Sequence, residues 1–107
     1  MINAMKPYFT VKSRLNKTIR TTKDYWNTIV ELKHPIMKKY EKETKETLRE
    51  PDEVRRSRKD PAVHLYYRRY DKYFVCVLAK HLNGEGFIIT AYLSNNVKKG
   101  DIVWRKR

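Results

Sequence analysis

Four groups of side chains in this sequence have the types and spacing to handle a phosphodiester. His34 stands directly before Pro35, Arg55, Arg56 and Arg58 follow one another in VRRSR, Tyr66 lies in VHLYYRRY, and Thr90 and Tyr92 stand two apart in FIITAYLS. In a strand, that last spacing puts both hydroxyls on one face. Cleavage of RNA without a metal needs such a set: a base for the proton of the ribose 2′-hydroxyl, cations for the charge growing on the phosphorane, and an acid for the leaving 5′-oxygen. Histidine serves as base or acid near neutral pH. Arginine offers a fixed fork for phosphate, while tyrosine and threonine hydroxyls orient it and tyrosine stacks on a base. The product would be a 2′,3′-cyclic phosphate, and no cofactor is needed. Each residue also has a plainer use: His34 as a cation at a helix C-terminus, the arginines as guards of an edge strand, and one of Tyr66 and Tyr67 as core.

Other chemistries find little support. The histidines, at 34, 64 and 81, form no HxH or HExxH, so no metal site is expected. The single cysteine, Cys76, rules out an internal disulfide and sits in the apolar run YFVCVLA, as a small core residue would. With three glycines, at 84, 86 and 100, there is no phosphate-loop or dinucleotide fingerprint. Lys and Arg number 25 against 12 Asp and Glu, a formal charge of +13, which points to a polyanion such as RNA or DNA. The excess is spread along the chain, with 12 basic and 6 acidic residues up to position 50 and 13 and 6 after it. No apolar run is long enough to span a bilayer and the N-terminus lacks the run of a signal peptide, so the expectation is a cytoplasmic protein with no membrane partner.

The elements that must position these residues fall in two halves, divided at EPDE, residues 50–53. YFTVKS and KTIRTT suggest one or two short strands. Asp24 is placed to cap a helix through YWNTIVELK, which Pro35 ends at His34. The helical pattern resumes in IMKKYEKETKETLRE, with Ile36, Tyr40, Thr44 and Leu48 in register, and stops before Pro51. From Val54 the period becomes two, and turns at KDP, Asp71–Lys72 and NGEG separate strands of an antiparallel meander. The expected fold is α+β: one domain over residues 1–107, with two N-terminal helices packed on one face of a four- to five-stranded sheet. Alternation assigns Val63, Leu65, Tyr67, Val75, Val77, Ala79, Phe87, Ile89, Ala91 and Leu93 to the face under the helices. His64, Tyr66, Arg68, Phe74, Cys76, Lys80, Ile88, Thr90 and Tyr92 fall on the other.

The order WNTIVELKHP, TLREPDEVRRS, LYY, VCVLAKHLNGEGFIITAY and IVW, over about residues 18–104, resembles the phage-associated nucleases of the barnase, EndoU, colicin and RelE group, and especially its small toxin-like members. The resemblance implies a cleft on the sheet face away from the helices, with a histidine supplied from the helical region. It places His34 at the end of the first helix, Arg56 on the first meander strand, Thr90 and Tyr92 on the fourth, and Tyr66 between them as a substrate contact. Arg55, Arg58, Arg68 and Lys80 join Tyr66 as expected RNA contacts. It further implies, as substrate, tRNA, mRNA or ribosome-bound mRNA, and, as partner, an acidic antitoxin or inhibitor. The rival expectation is a module that binds RNA or DNA on the same basic face without cutting it.

Overall fold

The computed structural model describes residues 6–97 and 99–107. The chain is α+β, and the strand-forming runs fold where their patterns place them: β1 (Phe9–Lys12), β2 (Thr18–Thr21), β3 (Glu53–Arg56), β4 (Val63–Tyr70), β5 (Tyr73–His81), β6 (Glu85–Ser94) and β7 (Asp101–Arg105). They form one seven-stranded mixed sheet in the order β1-β2-β6-β5-β4-β3-β7, larger than the four- to five-stranded meander expected. The meander itself is real from β3 to β6, each strand antiparallel to the next. The N-terminal hairpin then adds to one side, where β2 runs parallel to β6. The last strand does not extend the meander beyond β6 but returns to pair with β3 on the opposite side.

The helical layer comes between β2 and β3 along the chain. Helix α1 (Lys23–Thr28) is capped by Thr22, whose hydroxyl accepts from the Tyr25 N–H at 3.1 Å. Asp24, the expected cap, instead sits in the first turn, where its charge complements the helix dipole. The helix widens into a π-helical turn over Ile29–Lys33 and stops at His34, whose φ of −139° and ψ of 77° are the non-helical geometry that a following proline imposes. A 3₁₀ segment (Pro35–Tyr40) then feeds α2 (Glu41–Arg49). The buried hydroxyls of Thr44 and Thr47 on α2 donate to the carbonyls of Tyr40 and Glu43, so these polar groups enter the core satisfied.

The sheet is buried on both faces. Under the helices, Val54, Tyr66, Val75, Val77, Ala79, Ile88 and Ala91 join Trp26, Ile29, Val30, Met37 and Leu48 in the main core. On the far face, Leu65, Tyr67 and Cys76 form a second cluster with Phe74, Leu78, Tyr92 and Val97. This second core corrects the expected facing of β4: Leu65 and Tyr67 point away from the helices and Tyr66 points into them. A strand covered on both sides has no apolar alternation from which its facing can be read.

The facing of β6 is corrected midway along the strand. Leu78 pairs with Thr90 but Ala79 with Ile88, so Ile89 is an extra, unpaired residue. Such a bulge reverses the alternation. Ile88 is therefore fully buried under the helices and Phe87 is 39% exposed, the reverse of the expected facing, while Ala91, Leu93, Thr90 and Tyr92 lie on the expected sides.

Val97 reaches the far-face cluster because the segment between β6 and β7 crosses that face. Four inter-strand steps separate β6 from β7, about 19 Å at the usual spacing. The seven Cα steps from Ser94 to Asp101 reach roughly 24 Å when extended, enough to make that span. Gly100 ends it with φ +85°, and a Cβ there would stand 2.6 Å from the Arg56 carbonyl oxygen.

Candidate active site

Register fixes which side chains stand side by side on the far face. One row runs Arg55, Leu65, Leu78, Thr90 across β3, β4, β5 and β6, and the next runs Glu53, Tyr67, Cys76, Tyr92. At the β6 end of the second row, the ring of His34 lies 5.6 Å from that of Tyr92, inclined at 39°. His34 arrives there from the bend between the π turn and the 3₁₀ segment, beside the stretch of β6 that runs on beyond its pairing with β2. Tyr25 holds α1 and the π turn in place, its hydroxyl donating to the Ile89 carbonyl at 2.6 Å.

Three of the expected site residues therefore meet. His34 and Tyr92 are ring neighbours and Thr90 is on the same face as Tyr92, one alternation away. The Thr90 hydroxyl oxygen is buried and has no hydrogen-bond partner among the described residues. Burial raises the Tyr92 phenol far above its ordinary range, with the neighbouring Cys76 adding to the effect, so Tyr92 is a neutral hydroxyl able to donate. Burial likewise raises Tyr67 and pushes the Cys76 thiol up to about 12, so this cysteine is an inert packing residue.

Arg56 does not belong to this group. It pairs with His64, on the helix side of the sheet, and its neighbour Arg55 occupies the far face. Arg55 in turn donates from Nε to Glu53, and both side chains are about 15% exposed, at 15% and 14%. Arg105 shares the same carboxylate at 3.4 Å.

Beside the first row lies a groove of about 370 Å³. Val63, Leu65 and Leu78 floor it, and Arg58, Lys59, Lys99 and Gly100 line its sides. It is an apolar floor with a basic rim, and Leu78 joins it directly to Thr90 through the β5–β6 pairing. Arg58 is tied to Asp101 at 2.9 Å and Lys80, one step along β5, to Asp60 at 2.9 Å. Lys59 and Lys99 have no carboxylate within ion-pair reach among the described residues. Of the other expected RNA contacts, Tyr66 is fully buried in the main core and Arg68 lies on the helix side, donating to the Glu50 carbonyl at 2.9 Å. Neither can touch a ligand on the far face.

A polar cluster that the sequence does not single out stands on the helix side. His64 and His81 stack with ring centres 3.8 Å apart and planes within 8°. The Tyr66 hydroxyl is 2.8 Å from His81 Nε2 and donates to Ser13 Oγ at 2.9 Å. Desolvation, then the neighbouring imidazole and Lys17, push His81 down to about 4. Burial and the charges of Arg56 and Lys17 also lower His64, against a raising contribution from the Ala62 carbonyl. Two neutral stacked rings cannot divide acid and base duties across one phosphate, and this pair is read as structural. Only its cross-strand register could have revealed it, and that register is set by the turn at Asp71–Lys72.

Among the described residues, no three His, Cys, Asp or Glu side chains gather to hold a metal ion, and no helix is long and apolar enough to cross a membrane. Comparisons with known protein families, with characterised proteins and with solved structures found no match.

Proposed function

We propose that the protein is an endoribonuclease that cleaves RNA by attack of the 2′-oxygen and needs no metal. The observation that carries this reading is the His34–Tyr92 ring contact on the face that also bears Thr90, which pairs through Leu78 with a groove of basic rim. In the proposed reaction His34 takes the 2′-hydroxyl proton as the 2′-oxygen bonds to phosphorus. The bond from phosphorus to the 5′-oxygen breaks, and that oxygen takes a proton from water. Tyr92 donates to a non-bridging oxygen, as does Thr90 once rotation about χ1 turns its buried hydroxyl outward, and Lys59, Lys99 and Arg58 on the adjoining rim supply positive charge for the RNA strand. A base rests on Leu65 and Leu78 at the groove floor. Arg56 and Tyr66 have no part in this arrangement. Arg55 holds Glu53 and the β3 end of the floor.

The second reading is a module that binds RNA on this face without cutting it. It is favoured by Arg55, the arginine of the far-face row, being already neutralised by Glu53. Brief induction in cells, followed by mapping of RNA ends, separates the two. Cleavage predicts new fragments ending in 2′,3′-cyclic phosphate and arrested growth, both lost in His34→Ala. Harmless expression with intact RNA would leave only the binding module.

A further inference from the structure

A second cavity lies on the other side of the sheet. It measures about 500 Å³ and is lined by Arg14, Glu50, Arg68, Trp104, Arg105 and Arg107, among others. That volume suits a ligand of nucleotide size. Trp104 forms its aromatic wall, and the guanidinium of Arg14 stands 5.0 Å over the indole ring. Arg14 makes no side-chain hydrogen bond or ion pair among the described residues, so it can swing aside or cover a second planar group. The one carboxylate, Glu50, is 79% exposed and only 3.4 Å from Arg68, too loose a pair to neutralise the site. An indole wall with a stacked guanidinium and a surplus of arginines is the composition that holds a base by its face and a phosphate by its oxygens.

We propose that this cavity binds one nucleotide of a single-stranded RNA, its base stacked on Trp104 and its phosphate on Arg68 and Arg107. The inference rests on RNA being the substrate and adds where the strand flanking the scissile bond is held. β7 is an edge strand, so a chain leaving the far-face groove need only round that edge to reach Trp104. That edge is itself basic, since Arg105 lines the cavity and bonds Glu53 of the far-face row. An acidic peptide would use the arginines but gains little from the indole face.

The test uses a short, end-labelled 2′-O-methyl oligoribonucleotide, which has no 2′-hydroxyl to attack and stays whole. Binding is followed by label anisotropy and by tryptophan fluorescence. Trp26 is 2% exposed in the core, so Trp104 is the indole that responds. Saturable quenching is expected in the wild type and none in Trp104→Phe. Affinity should fall about tenfold in Trp104→Ala, and less in Trp104→Phe, which keeps a ring. Because Trp104 also packs on the main core, Arg14→Ala and Arg107→Ala provide variants that leave the core intact, and each should weaken binding. Unchanged affinity in Arg14→Ala and Arg107→Ala, or equal affinity in the two Trp104 variants, would overturn the proposal. So would a free mononucleotide that quenches as tightly as the oligonucleotide. Binding through Trp104 with unmodified RNA left whole would sink the cleavage reading and keep this site. Cleavage with Trp104 silent would do the reverse.

Discussion

The imidazole of His34, carried at the end of the first helical segment, lies 5.6 Å from the phenol ring of Tyr92 on β6. Nothing local joins them. The bend before Pro35 and the bond from Tyr25 to the Ile89 carbonyl bring a helical residue around an open sheet edge onto the face away from the helices.

Thr90→Val tests the functional side of that meeting. The hydroxyl has no hydrogen-bond partner among the described residues, so replacing it with a methyl should raise stability by about 1 kcal/mol while slowing RNA cleavage. Urea denaturation and initial cleavage rates measure the two. A variant that loses stability and keeps its rate would show the hydroxyl serving the fold. Tyr92→Phe should likewise slow cleavage and leave the unfolding midpoint nearly unchanged.

Arg55 and Arg56 are predicted to behave oppositely although they are neighbours in sequence. Arg55→Ala leaves Glu53, a largely buried carboxylate, with Arg105 alone, a loss of about 2 kcal/mol of stability. Arg56→Ala, on the exposed helix-side position, should change stability by less than about 0.5 kcal/mol and leave the cleavage rate unaltered. Thermal unfolding and cleavage assays on the pair decide it, and a large rate loss in Arg56→Ala would place the reaction on the other face.

Tyr66→Phe should destabilise the protein by about 1 to 2 kcal/mol, because it strands His81 Nε2 and leaves Ser13 Oγ with only the Lys17 N–H in a largely buried setting. RNA affinity should stay the same, since the ring is fully buried. Loss of affinity at unchanged stability would contradict the placement of Tyr66 in the core.

Stability should also fall with acid in a window set by the stacked histidines. His81 lies near 4 in the folded chain against an ordinary value of 6.5, so the unfolded chain takes up the proton first. The contribution is complete above about 6.5 and is lost as pH falls toward 4. His64, lowered as well, acts with the same sign, and Lys17 and Arg56 are the cations that face the pair. His81→Gln should flatten the slope of unfolding free energy between pH 6.5 and 4. A slope that survives the substitution would assign it to carboxylates.

Strand positions were legible because β-branched and aromatic runs alternate with turn residues, and VHLYYRRY, YFVCVLAKH and FIITAYLS fold as strands where the sequence places them. Facing was legible only where one side is polar. Tyr66 and Tyr67 are both apolar enough for either core, so the second cluster around Cys76 hid the orientation of β4 and with it the choice between Arg55 and Arg56. The bulge at Ile89 reversed half of β6 without any glycine or proline to announce it. The return of β7 to β3 left no local mark, because the pairing joins residues at opposite ends of the strand-rich half. His34, by contrast, was legible through Pro35, whose steric demand ends the helix whatever the tertiary context.

The most direct test of the account is cleavage of a single-stranded RNA by purified protein in EDTA, with the new ends identified chemically. The account predicts fragments ending in 2′,3′-cyclic phosphate, formed at least about a hundredfold more slowly by folded His34→Ala. Intact RNA with the wild type, or equal rates for wild type and His34→Ala, would contradict it.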